Sequence, residues 1–190
     1  MSLSQAEERE LIERARRGDD QAFGQLVTHH TPQLFRVIRR VVDDTGEAES
    51  AVQEAFLRVW QALPRYQSDR PFFPYLATVA MNLVRDRWRQ ERRLDFAGLE
   101  DVGESLPAPS PGPETLAEEA ETLQALAQAV AGLPEGYRTV IALRYDGGLT
   151  YQQIAEALEL PLNTVRTHLR RAKELLQEEL RRRFEEGDHG

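Results

Sequence analysis

Apolar residues recur along this chain at steps of three and four, and no stretch longer than a few residues alternates apolar with polar. Steps of three and four stack side chains on one face of an α-helix, whereas a half-buried strand needs a step of two. The pattern therefore predicts helices only. Ser4 with Glu7 forms a capping box that opens a first helix, and Gly18 closes it. Asp19 and Asp20 open a second, with Phe23, Leu26, Val27, Leu34, Phe35, Ile38 and Val42 turned inward. Pro32 falls inside that helix and is expected to kink or split it, because it has no N–H to donate and crowds the preceding turn. A third helix is expected over 45–63 and a fourth over 73–93, with Leu76, Val79, Ala80 and Leu83 inward. Further helices are expected near 115–131, 135–145, 151–158 and 162–184.

Between the fourth and fifth helices the pattern breaks. The stretch LPAPSPGPE carries four prolines and no apolar period, so it reads as an extended linker. The expected organisation is an all-α fold of two helical domains: an N-terminal domain over 1–94, a Pro-rich acidic linker over 95–114, a C-terminal helix-turn-helix domain over 115–184 and a tail over 185–190. The formal net charge is -8, yet the residues from Leu94 to Tyr137 hold nine carboxylates and no Lys or Arg. Setting those nine aside leaves the rest of the chain at +1, so both flanks are free to carry basic faces. No apolar run approaches the roughly 20 residues of a membrane span, and the charged amphipathic N-terminus lacks a signal peptide's apolar core. There is no cysteine, which excludes disulfides and thiolate metal sites. A cytoplasmic protein without membrane insertion is expected.

Three surfaces are not accounted for by burial. On the third helix, Val52, Ala55, Phe56, Val59 and Leu63 make one apolar stripe, while Leu57 lies about 140° from Val52 beside Ser50, Gln53, Glu54 and Gln61. A leucine among short polar residues suits a protein contact, although single exposed leucines are ordinary. On the fourth helix, Thr78, Asn82, Arg85 and Arg89 form a polar stripe with Tyr75 at its edge, preceded by the aromatic loop YQSDRPF. Rings that stack, amides that pair and Arg for phosphate suit an unpaired strand; a solvated helix face is the plainer alternative. In the C-terminal half, Thr150 with Gln153 caps YQQIAEAL, the turn ELPL follows, and Pro161 sits at the start of the next helix. That helix turns Val165, Leu169, Ala172 and Leu176 inward and Arg166, Thr167, Arg170 and Arg171 outward, with Asn163 and Thr164 at its start and Lys173 nearby. Two short helices around a tight turn, the second basic, is the plan of a DNA-reading helix-turn-helix.

The combination of GDDQAF at Gly18, EAESAVQEAFLRVWQAL at Glu47, RPFFPYLATVAMNLVRDRWR at Arg70 and LPEGYRTVIALRYDGGLTYQQIAEALELPLNTVRTHLRRAKELL at Leu133 resembles sigma factors of the sigma-70 family, in particular the compact extracytoplasmic-function (ECF) group. The resemblance spans nearly all of residues 15–180. It implies a transcription initiation factor that binds bacterial RNA polymerase core, through the clamp helices of its beta-prime subunit, with Glu49, Ser50, Gln53, Glu54 and Leu57. It also implies that Asp69, Arg70, Phe72, Tyr75, Thr78, Asn82, Arg85 and Arg89 melt and read the minus-ten promoter element. The minus-thirty-five element would fall to Asn163, Thr164, Arg166, Thr167, Arg170, Arg171 and Lys173, with Arg144 on phosphate. An anti-sigma factor is the implied regulator, and no cofactor or metal is implied. Ser50 stands where the family usually has Asp, Tyr75 where Trp is frequent and Glu159 where Gly is frequent.

His29 and His30 are adjacent and about 100° apart on a helix, so they do not form an i, i+4 metal pair. His168 lies between the inward and outward faces of its helix, where packing and a phosphate contact are both open. The sequence holds no glycine-rich phosphate loop, no GxSxG and no HExxH. An enzyme is therefore not expected. The alternative is a free-standing helix-turn-helix regulator, which would bind duplex operator alone as a dimer.

Overall fold

The computed structural model describes residues 3–66, 70–95 and 116–187. Among the described residues eight α-helices follow one another: α1 (Gln5–Arg16), α2 (Asp20–Val41), α3 (Thr45–Ala62), α4 (Phe72–Asp95), α5 (Leu116–Ala131), α6 (Glu135–Ile141), α7 (Tyr151–Leu158) and α8 (Leu162–Gly187). No strand occurs among the described residues. The helix starts follow local chemistry. The Ser4–Glu7 and Thr150–Gln153 capping boxes are both closed in each direction, and Asp19 and Asp44 each accept from the backbone N–H three residues on. Each box satisfies two backbone groups that a helix start would otherwise leave unpaired. Gly18, at φ +89°, lets the chain turn from α1 into α2, a conformation that a Cβ disfavours.

Helices α1 to α4 pack around a core of Leu26, Leu34, Ile38, Val52, Phe56, Phe72, Leu76 and Met81. Helix α2 runs unbroken through Pro32, contrary to the expected split. The proline leaves only the carbonyl of Thr28 without its helical donor, a local loss. Buried residues on both sides of it, His30 and Leu34 nearest, keep the two halves on one axis. Helix α3 ends in a 3-10 turn over Leu63–Arg65. The C-terminal core is formed by Val130, Leu133, Val140, Leu143, Leu149, Ile154, Leu158, Val165, Leu169 and Ala172.

Helix α6 is shorter than expected, because the chain continues from it as a wider π-helical turn over Ala142–Asp146. There Gly147 N–H donates to Ala142 C=O at 3.0 Å. A Cβ on Gly147 would meet the Leu143 carbonyl oxygen at 2.7 Å, so this closure requires glycine. Helix α7 ends as Glu159 enters the left-handed region at φ 54°, the one non-glycine residue with positive φ among those described. The turn into α8 is completed by the Pro161 carbonyl, which accepts from Thr164 and Val165.

The two halves touch. Helix α4 packs on α7, and α2 packs on α6 and the π-helical turn. Arg40 Nε lies 3.0 Å from Asp146 Oδ2, Arg138 Nη1 lies 3.5 Å from Asp43 Oδ1, and Gln33 Nε2 donates to the Gly147 carbonyl at 3.1 Å.

Candidate functional site

On α8 the expected inward residues Val165, Leu169 and Ala172 are buried and Leu176 is half-buried. The opposite face presents Asn163, Arg166, Arg170, Arg171 and Lys173 to solvent, with Thr164 and Thr167 half-exposed. Several of these side chains are held in place. Arg166 Nη1 lies 3.4 Å from Asn163 Oδ1, and Arg170 Nη1 donates to Glu174 Oε1 at 2.8 Å. Arg171 donates to the Tyr137 oxygen, which raises its already high pKa, and a hydrogen bond to Tyr145 raises that of Lys173. Both stay cationic throughout the working pH range. Lys173 Nζ also sits 5.8 Å from the Tyr145 ring centroid, and the Arg144 guanidinium lies 5.4 Å from that of Tyr151. Arg144 is further fixed by a 2.8 Å hydrogen bond to the Leu149 carbonyl. His168 packs edge-on against Tyr137, 5.1 Å between centroids, with Gly136 beside it, which favours the packing role.

Sequence reasoning passed over the supporting tyrosines Tyr137, Tyr145 and Tyr151. Only Tyr151 lies near its cation, Arg144, in the sequence; Tyr137 and Tyr145 meet Arg171 and Lys173 of a later helix, so no local signal could have found them.

The third-helix surface is as expected. Leu57 is 58% exposed and sits beside exposed Glu49, Ser50 and Gln53 and half-exposed Glu54. These residues, except Glu49, line an open groove of about 380 Å³ whose other wall is Asp86, Arg87 and Gln90 of α4. Arg87 was not anticipated. Its guanidinium donates to Ser50 Oγ at 3.2 Å and to the Glu47 carbonyl at 3.3 Å, tying α4 to α3 at the position where the family usually has Asp. Glu54 is paired with Arg58 at 2.9 Å, one turn on.

The fourth-helix stripe differs most from expectation. Thr78, Asn82 and Arg85 do share a face, but each is only half-exposed, because α7 packs on α4. Arg85 Nη1 donates to the Leu158 carbonyl at 2.9 Å. Nearer the start of α4, Arg70, Tyr75 and Thr78 face Gln153 and Glu156 of α7 across a cleft of about 580 Å³. Tyr75 stacks on Tyr66 at 4.8 Å, and partial burial raises its hydroxyl pKa. The Tyr66 hydroxyl donates to the Arg70 carbonyl at 2.7 Å, bridging the ends of the loop. Arg89 remains exposed beside Asp86.

Phe72 is a correction. Expected to be presented by the loop, it opens α4 and is fully buried, 5.2 Å from the His30 ring and 6.0 Å from that of Tyr66. Burying a phenyl ring is worth about 1.5–3 kcal/mol, which outweighs its exposure to an absent base. Asp69 lies outside the described residues. His30 is buried with its Nε2 3.0 Å from Glu8 Oε1, and no group of three His, Asp or Glu side chains among the described residues could hold a metal ion.

Residues 26–94 match the family Sigma-70 region 2, and residues 123–176 match Sigma-70, region 4. The first match therefore contains the Leu57 face and the α4 stripe, and the second contains the helix-turn-helix. The chain is 32% identical over 186 residues to the RNA polymerase sigma-H factor of Pseudomonas aeruginosa, covering 94% of this chain and 96% of that one. It is 30% identical over 177 residues to the ECF RNA polymerase sigma factor SigW of Bacillus subtilis, covering 90% and 95%. Among solved structures it is similar to CnrH in complex with the cytosolic domain of CnrY, at 28% identity and a TM-score of 0.63, covering 90% of this chain and 96% of that one. Two ordered family matches in one chain, and relatives aligned over nearly their whole length, leave one assignment: the chain belongs to the ECF group of sigma-70 family RNA polymerase sigma factors.

Proposed function

We propose that this sigma factor docks on the clamp helices of bacterial core RNA polymerase through Glu49, Ser50, Gln53, Glu54 and Leu57. Bound in this way, it reads the minus-thirty-five element through α8 and the minus-ten element through α4. On α8, Arg166, Thr167 and Arg170 face base edges in the major groove, while Arg144, Arg171 and Lys173 neutralise phosphates. On α4, Tyr75, Thr78, Asn82 and Arg85, with Arg70 beside them and Arg89 at the end of the stripe, act on the separated strand. Rings and amides suit unpaired bases, and the guanidinium groups suit the backbone. Phe72 supports the stripe from beneath and does not touch DNA.

The observation that carries the docking surface is Leu57: 58% exposed, on a wet helix face, at the mouth of a groove between α3 and α4. A separate anti-sigma protein is the proposed regulator, in the cytoplasm. CnrH, to which the chain is similar, was solved in complex with a separate chain, the cytosolic domain of CnrY, and this supports regulation by a separate protein. The test is run-off transcription with purified core enzyme, together with co-elution of Glu54→Lys. The variant reverses charge at the docking face and loses only the exposed pair with Arg58, worth about 0.3–0.5 kcal/mol. Loss of co-elution with an unchanged far-UV spectrum is expected; co-elution as for the unaltered chain would remove this face from the proposal.

A further inference from the structure

Tyr145 belongs to the π-helical turn over Ala142–Asp146, and it stands 58% exposed. A ring left in water forgoes the gain that burial would bring. Tyr145 is neither part of the apolar core nor among the residues packed against it. What it touches is a cation. Lys173 Nζ, from α8, lies 5.8 Å from its ring centroid and is hydrogen-bonded to its hydroxyl. The preceding residue turns the other way: the Arg144 guanidinium lies 5.4 Å from the Tyr151 ring and donates to the Leu149 carbonyl at 2.8 Å. Single π turns within helices are frequent at functional sites. This one aims two adjacent side chains at two different helices.

The effect on Lys173 is one of orientation. A lysine carries a point charge on a flexible four-carbon stem, and free in water it samples many rotamers. That freedom is lost when the ammonium is fixed on a ligand, and a side chain already held loses less. A ring face and a phenol oxygen both attract an ammonium while leaving its charge in place. A carboxylate would hold it as firmly but would cancel the charge that a phosphate needs. Arg170, paired with Glu174 on the same helix, is held in that second way. We propose that Tyr145 is a positioning residue for binding of the DNA backbone: it keeps the Lys173 ammonium oriented and still charged beside Arg144, so that both cations meet phosphates with little left to order. The proposal rests on the phosphate role given above to Lys173 and Arg144.

Phosphate contacts carry no sequence information, so a fluorescent mixed-sequence duplex titrated with the full chain reads them. Tyr145→Ala should weaken binding about fivefold, and Tyr145→Phe, which keeps the ring, should fall between it and the unaltered chain. Lys173→Met should reduce the salt slope of binding by about one, whereas Tyr145→Ala should leave the slope nearly unchanged, because the charge is still there. In the Lys173→Met background, Tyr145→Ala should cost nothing more. A loss that persists in that background would make Tyr145 a direct DNA contact or a support of the fold, and would overturn positioning. Proton NMR of the free chain supplies a signature that mere support would not move. The ring current of Tyr145 should shift the Lys173 ε-methylene upfield in the unaltered chain and in Tyr145→Phe, but not in Tyr145→Ala. The same ε-methylene shift in all three chains would also overturn the proposal. If Lys173→Met leaves the salt slope unmoved, the phosphate role of Lys173 is what fails, and Tyr145 is left with nothing to position.

Discussion

Helices α4 and α8 carry outward stripes of nearly the same composition: threonine, asparagine and arginines at steps of three and four. On α8 that stripe is bare, and its cations lean on neighbouring side chains, Arg170 on Glu174 and Lys173 on Tyr145. On α4 it is half-exposed and faces α7 across a cleft, and Arg85 is used by the chain itself. Helical periodicity tells which side chains share a face, but not what lies against that face. A polar stripe is ambiguous in this respect because polar side chains serve equally well toward water, DNA or another polar helix. The aromatic residues differ in the same way. Tyr145 beside α8 is exposed and holds a cation, whereas Phe72 at the start of α4 is core.

That contrast can be broken most forcefully at Phe72. Phe72→Ala removes a fully buried ring and should cost about 3–5 kcal/mol in chemical denaturation, whatever DNA is present. An undiminished midpoint, with loss of strand opening alone, would return Phe72 to the reading surface. Arg166→Ala addresses the bare face. It should cost about 1–3 kcal/mol at one position of the minus-thirty-five element in competition binding with polymerase holoenzyme. An equal loss on every sequence would make Arg166 a phosphate contact. The smallest effect is expected where the two regions meet, at Glu159, directly after the carbonyl that holds Arg85. Glu159→Gly relieves a left-handed backbone at some entropic cost in the unfolded chain. A net gain of about 0.5–1 kcal/mol should raise the melting temperature by roughly 2 °C.

The C-terminal half was the more legible of the two. Thr150, Gln153 and Pro161 fix helix ends through local hydrogen bonds, and a local signal can be read in a single chain. The π-helical turn was not legible, because its wider spacing arises from how Ala142, Leu143 and Leu149 pack. Phe72 was legible in principle: it lies four residues before Leu76, which lies four before Ala80, so the apolar stripe of α4 extends one turn back from Leu76, to the residue just before the expected start at 73. The charged neighbours Asp69 and Arg70 drew it into the loop instead. Pro32 was overweighted for a related reason, since one missing donor is a local cost and the packing of α2 is not local. The Arg40–Asp146 and Arg85–Leu158 contacts span 106 and 73 residues, and nothing in the spacing of either half announces them.

The five-residue turn at Ala142–Asp146 has one more consequence, for rotational phase. A π turn spends one residue more than an α turn to cover the same arc, and each residue of a helix advances the chain by about 100°. Deleting a single residue here would therefore swing Asp146 off α2 while α6 kept its seat. The following helix pair would be clocked out of line with the rest of the molecule. Length at this turn, together with the glycine that closes it, sets how α7 and α8 are aimed.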